Sequence, residues 1–287
     1  MNLNLAFALG GGGSRGALQV GAMRALFEAG IRPSILTGTS IGSMNSVAIG
    51  IWGAELDTID RMEEIWKEVA DLQLLDPRFQ NLIIRALVGR PDTSSQHKTI
   101  DFLNHIGITA DLSFEDVLPY HLGLVSADLI NNVPVIYGLD PSQKIQEGVL
   151  ASIALQPWFM PINNHGRYLV DGGVVSNVPI EPAMYMHANE IIALDLTDTE
   201  PSKGNALNQY ADRLATTVTT RITHLEIALA EAKGIPVHYL SLRAPGTQTW
   251  DFANSAALIT MGYDQARTQM NQWFEKDPAL LTALASG

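Results

Sequence analysis

The chain has 287 residues, 46% of them hydrophobic and 17% charged, enough apolar material for the core of one large α/β domain. Its 30 acidic against 18 basic side chains give a formal net charge of -12, which repels nucleic acid at long range, and the absence of cysteine removes disulfides and thiolate metal sites. No run reaches the roughly 18 consecutive apolar residues of a membrane span, and Met1-Asn2-Leu3-Asn4-Leu5 lacks the basic start of a secretory signal, so a cytoplasmic chain without nucleic-acid partners is expected.

In chain order, Leu3, Leu5, Phe7 and Leu9 alternate with smaller or polar residues and predict a strand that ends at Gly10-Gly11-Gly12-Gly13. Ala17 to Ala29 then carries Leu18, Gly21, Ala22, Ala25 and Leu26 on one helical face, and Gly30 stops it. Ile35 to Thr39 predicts a second strand and Ser43 to Ile51 the helix after it, so a strand, turn and helix occur twice in succession. Leu56 to Val69 has amphipathic helical spacing. His121 to Leu129 and Val133 to Leu139 predict two strands joined at Asn131-Asn132. Asp140-Pro141 announces a helix over Ile145 to Leu155. Short buried strands follow at Tyr168 to Val170, Glu190 to Leu196 and Val237 to Leu242, with long helices over Leu207 to Lys233 and Ala256 to Phe274. The alternation predicts an α/β fold of three layers, α/β/α, around a mostly parallel sheet.

We read one domain over residues 3–275 and a C-terminal tail over 276–287. The stretch from Asp71 to Asp111 fits the alternation worst: it sets Arg78, Arg85, Arg90 and Lys98 against Asp76 and Asp92 around an apolar run. Two readings stay open there. One is a helical excursion on the sheet edge, the other a cap or lid whose 71–98 portion touches a membrane surface.

Two glycine signatures carry the chemistry. Gly11-Gly12-Gly13-Ser14-Arg15-Gly16 matches a dinucleotide fingerprint between a strand and a helix. That chemistry also needs an acidic residue about 20 positions on, and Gly30 to Met44 holds neither Asp nor Glu. A nucleotide cofactor is therefore not expected, and no metal is called for. Gly38-Thr39-Ser40-Ile41-Gly42 is a G-x-S-x-G element at a strand-to-helix junction, which exposes Ser40 on a sharp elbow with the helix dipole behind it. Acyl transfer needs such a hydroxyl and, facing it, amides for the oxyanion, which the glycine run supplies. The hydroxyl also needs a base. None of His97, His105, His121, His165, His187, His224 or His238 stands in a setting that singles it out, whereas Val170-Asp171-Gly172-Gly173 places a carboxylate directly after an apolar strand. Asp195 and Asp198 are rival carboxylates, and Asn45 reads as a buried hydrogen-bonding residue.

These three motifs, in this order, resemble the patatin-like phospholipases, and the resemblance runs from about Leu3 to Ile192. It extends to Ala151-Ser152-Ile153-Ala154-Leu155-Gln156-Pro157-Trp158-Phe159-Met160-Pro161 and to the Ser176-Asn177-Val178-Pro179 ending after Asp171. It implies a Ser40-Asp171 dyad, with Ser40 as nucleophile and Asp171 as proton acceptor, an oxyanion hole from Gly11, Gly12 and Gly13, and a lipid ester substrate: a phospholipid, lysophospholipid or acylglycerol. Ser14, Arg15, Gly16, Gly38, Gly42, Gly172 and Gly173 complete the motifs. The chain departs from the family at Gln156-Pro157, where proline then glycine is usual, which bears on acyl preference. Arg15 reads equally as a positive charge beside the oxyanion or as half of a structural ion pair. A histidine-assisted esterase and a noncatalytic lipid-binding module are the alternatives.

Overall fold

The protein is described as a computed structural model over residues 3–72, 94–117, 119–156, 159–164, 166–198, 206–248 and 251–286. Strands β1 (Leu5–Leu9), β2 (Ile35–Thr39), β3 (His121–Asp128), β4 (Val133–Tyr137), β5 (Ile162–Asn164), β6 (Arg167–Asp171), β7 (Glu190–Asp195) and β8 (Val237–Ser241) form one eight-stranded sheet. Its order is β5-β6-β3-β2-β1-β7-β8, with β4 also paired to β3. From β3 to β8 neighbouring strands are parallel; β4 and β6 lie antiparallel to β3, and β5 antiparallel to β6.

β1 is buried on both faces, as a central parallel strand between helical layers must be. Leu5, Phe7 and Leu9 enter the larger core, beneath α1 (Gly16–Glu28), α2 (Ile41–Trp52), α3 (Leu56–Leu72), α4 (Ser94–His105), α5 (Ile145–Ser152) and α8 (Ser255–Lys276). Ala6 and Ala8 point the other way, into a thinner core with Ala183 of α6 (Ile180–Tyr185) and Ala230 of α7 (Ala206–Ala232). This is the three-layer, mostly parallel architecture that the strand and helix alternation predicts.

The register of β3 does most to build the site. Leu124 to Asp128 pair with β4 on one edge, so β2 and β6 must share the other: His121 to Val125 pair with β2, and Ser126 to Asp128 with β6. Because β6 runs against β2, the two strands meet tip to tip, Thr39 opposite Val125 and Asp171 opposite Ser126. The crossover is tight, since a Cβ on Gly172 would lie 2.3 Å from the Val125 carbonyl oxygen. Two segments distant in sequence thereby bring Ser40 and Asp171 to one point.

Residues 276–287, read as a tail, contain helix α9 (Pro278–Leu284), where Asp277 caps the Ala279 N–H and Leu284 is fully buried. Within the 71–111 stretch, α4 packs Phe102 and Leu103 into the larger core; the lid and membrane-contact expectation falls largely on residues 73–93, outside the described residues. Among the described residues, no helix is long and apolar enough to cross a membrane.

Candidate active site

Ser40 sits between β2 and α2 with φ 54° and ψ -125°, a backbone conformation that L-residues avoid and that costs on the order of 1–3 kcal/mol. The neighbouring glycines make it sterically feasible. A Cβ on Gly38 would stand 2.4 Å from the Gly42 carbonyl oxygen, and one on Gly42 would stand 2.1 Å from that of Leu9. The elbow is held from both sides: the Ser40 N–H donates to the Ser152 hydroxyl at 3.0 Å, and the Ser40 carbonyl accepts from the Ser43 N–H and hydroxyl at 2.9 and 2.6 Å.

Asp171 ends β6, its N–H tied to the Ala154 carbonyl at 3.0 Å. Oδ1 accepts from the Gly173 N–H at 2.8 Å, while Oδ2 is buried and closes no hydrogen bond of standard length and angle. Burial pushes this carboxyl up to about 6; the nearby Ser40 hydroxyl and the Gly173 amide pull in the opposite direction without cancelling it. An oriented, desolvated carboxylate beside a hydroxyl is placed to accept its proton, and such contacts are commonly long before substrate binds.

The glycine run divides its amides. Gly11 N–H donates to the Asn177 carbonyl at 3.0 Å and is engaged, contrary to the expectation that it faces an oxyanion. Among the described residues, the Gly12 and Gly13 N–H groups meet no acceptor, and Gly13 holds φ 60°. Ser152 occupies the Ser40 amide, so the Gly12 and Gly13 amides are the donors that the glycine run offers to the cleft. Gly11 has a steric task instead, for a Cβ there would lie 3.1 Å from the Cβ of Ser40 and 2.8 Å from Asn177 Oδ1. Asn177 thus joins the glycine loop to the loop after Asp171, and its Nδ2 donates to Thr197 Oγ1 at 3.3 Å.

Other candidates separate cleanly. Asp195 is buried and committed to Tyr239, Arg243 and Thr197. Asp198 lines the cleft with its Oδ2 4.0 Å from Arg15 Nη1, and Arg15 Nε donates to the Gly12 carbonyl at 3.3 Å, so Arg15 combines a salt bridge with positive charge beside the free amides. Ser14 is buried and donates to the Gln248 carbonyl at 2.8 Å. Gly16 admits Ile41 and Trp66, whose atoms would stand 2.5 and 3.0 Å from a Cβ there. Asn45 links Gly16, Gln19 and Trp66 through buried hydrogen bonds. No histidine lines the cleft among the described residues; His165 lies outside them. Gln156 donates back to the Ala154 carbonyl at 2.9 Å.

Ser40 and Asp171 open onto a cavity of about 690 Å³ whose walls come from α2, α3, α4, α7 and the segment around Phe252. Phe252 stacks on Trp66 at a centroid distance of 6.0 Å. Sequence reasoning had no signal for this wall, nor for the acceptor role of Ser152.

The sheet and its crevice define an α/β protein with a hydroxyl and a carboxylate brought together at the carboxyl ends of its strands. The sequence model of the patatin-like phospholipases matches residues 7–184, and the chain belongs to that family. It is 28% identical over 220 residues to neuropathy target esterase sws of Drosophila melanogaster, covering 74% of this chain and 14% of that protein. It is 25% identical to patatin-like phospholipase domain-containing protein 7 of Mus musculus, covering 94% of this chain and 21% of that one. The chain therefore spans only a small part of these curated relatives. Among solved structures, VipD from Legionella pneumophila shares the fold, with a TM-score of 0.51, 17% identity, and coverage of 94% of this chain and 67% of that one.

Proposed function

We propose that the chain hydrolyses carboxylic esters of lipids through an acyl-enzyme on Ser40. The observation that carries the reading is the buried Asp171 carboxyl, raised to about 6 and set beside the strained Ser40 elbow at the mouth of a largely apolar cavity. Asp171 takes the proton of Ser40 as Oγ bonds to the ester carbonyl carbon, and the oxyanion is met by the Gly12 and Gly13 amides. The bond to the alcohol oxygen then breaks, and Asp171 returns its proton to that oxygen. Water attacks the acyl-enzyme, giving its proton to the same carboxylate; collapse frees the fatty acid and restores the Ser40 hydroxyl.

Membership in a phospholipase family supports a lipid substrate, and the cavity supports an acyl chain. Phospholipids, lysophospholipids and acylglycerols all offer the required ester. The test is to treat the native chain with a fluorophosphonate probe and to follow fatty acid release from lysophospholipid. Labelling at Ser40, with both labelling and release lost in Ser40→Ala, is expected; an unlabelled Ser40 in folded protein would favour a lipid-binding module without catalysis.

A further inference from the structure

The wall nearest Ser40 is built to a length. α2 starts one residue after Ser40 and turns Ile41, Met44, Ala48 and Trp52 toward the cavity, a spacing of three, four and four that keeps them on one helical face. Met62 and Ile65 of α3 also line this apolar arm. At 1.5 Å per residue, Ile41 to Trp52 covers about 16 Å. An extended chain advances about 1.2 Å per bond, so the arm takes on the order of a dozen carbons. Trp52, the last residue of α2, lines the cavity with its ring beneath the Arg61 guanidinium, which stands 3.8 Å from the ring centroid. The rest of the lining is also largely apolar, with Phe102, Phe159, Leu214 and Val218 among it, and its polar side chains, such as Arg15 and Asp198, come from the loops beside Ser40. An ester bound at Ser40 therefore meets, directly beside the nucleophile, an apolar face that continues along α2.

We infer that the acyl chain lies along α2, with Ala48 and Trp52 setting the chain length the site accepts. This rests on the ester-hydrolase reading and adds to it which group goes where and what measures it. Ala48 has the smallest side chain on the α2 wall and lies about 10 Å along the axis from Ile41, so a bulky residue there closes the arm partway. Trp52 closes its end.

The test compares kcat/KM for palmitoyl and butyryl esters of one fluorogenic alcohol. Ala48→Trp is expected to lower the palmitoyl-to-butyryl ratio by at least roughly 100-fold, since it excludes several methylenes and each one in an apolar pocket is worth about tenfold or more. Ala48→Leu should lower it less, and Trp52→Ala should raise the rate on palmitoyl relative to lauroyl, the chain that fills the arm. A variant that merely folds poorly loses both activities together, leaving its ratio near that of the unmodified chain; circular dichroism identifies it, and Ala48→Leu then decides. Ratios unchanged in folded variants overturn the inference. If the unmodified chain hydrolyses neither ester, the hydrolase reading fails instead, and the arm is still read by calorimetric binding of palmitate. Ala48→Trp must weaken that binding, and equal affinity overturns the assignment.

Discussion

Asp171 is asked to be both buried and ionised, and those demands conflict. Desolvation holds its proton more tightly in the folded chain than in the unfolded one, so its pKa is raised on folding. Its contribution to stability is fully present below about pH 4, the ordinary carboxylate value, and is lost as pH rises through about 6. Activity has the opposite sign, because only the ionised form accepts a proton: kcat/KM is expected to climb through about pH 6 and level off above it. Asp171→Asn preserves an acceptor for the Gly173 amide while removing the base. We expect it to lose about 10²- to 10⁴-fold in ester hydrolysis, yet to be more stable than the parent at pH 8 by on the order of 2–3 kcal/mol in urea denaturation. A less stable variant at that pH would show that the buried charge is not a burden. Ser40 and Asp171 are legible in the sequence because their glycine neighbours mark sharp turns after short strands. The engagement of the Gly11 amide is not, because it depends on where Asn177 arrives in space.

At the scale of elements, the helices with long amphipathic patterns are readable, whereas α4 and α6 are too short or too irregular in pattern to stand out. Helix α9 is different: Asp277-Pro278 is a helix-start signal in its own right, and a short sequence at the chain end invites being taken for a tail. Nothing in the periodicity reveals how closely α1 and α8 approach. A Cβ on Gly21 would lie 1.9 Å from the Ile259 carbonyl oxygen, and one on Gly262 2.0 Å from that of Leu18, so the two helices touch backbone to backbone. Gly21→Ala must force them apart. We expect destabilisation at or above about 3 kcal/mol, the upper end of ordinary overpacking, because the obstacle is main chain and cannot rotate away. A denaturation midpoint within error of the parent would mean that this contact is looser in solution.

The whole molecule carries a second buried carboxyl that follows the same sign. Glu226, on α7, accepts the Glu181 N–H at the start of α6 at 2.7 Å, while its other oxygen is buried without a hydrogen bond. Burial pushes it up to about 7, assisted by the charge of Glu181 and opposed by the nearby Ser176 hydroxyl and the α6 backbone amides. Its stabilising contribution is thus present below about pH 4.5 and lost as pH rises through about 7. With Asp171 titrating lower and a net charge of -12 adding self-repulsion, the stability maximum is expected on the acid side of neutrality, below the pH of full activity. Glu226→Gln should flatten the fall in Tm between about pH 5 and 8 while leaving the activity profile governed by Asp171; a Tm curve as steep as the parent's would remove Glu226 as its source.

The match to the family model stops at residue 184, inside α6. Yet β7, which follows, pairs with β1 from Leu5 to Leu9, and α8 closes over α1 at the Gly21 and Gly262 contact. A chain ended at the family boundary would leave the strand that delivers Gly12 and Gly13 without partners along one edge. The boundary drawn by shared ancestry is thus not a place where the molecule can be divided: exchange of segments between relatives should preserve function only if β7 and α8 travel with the motifs they support.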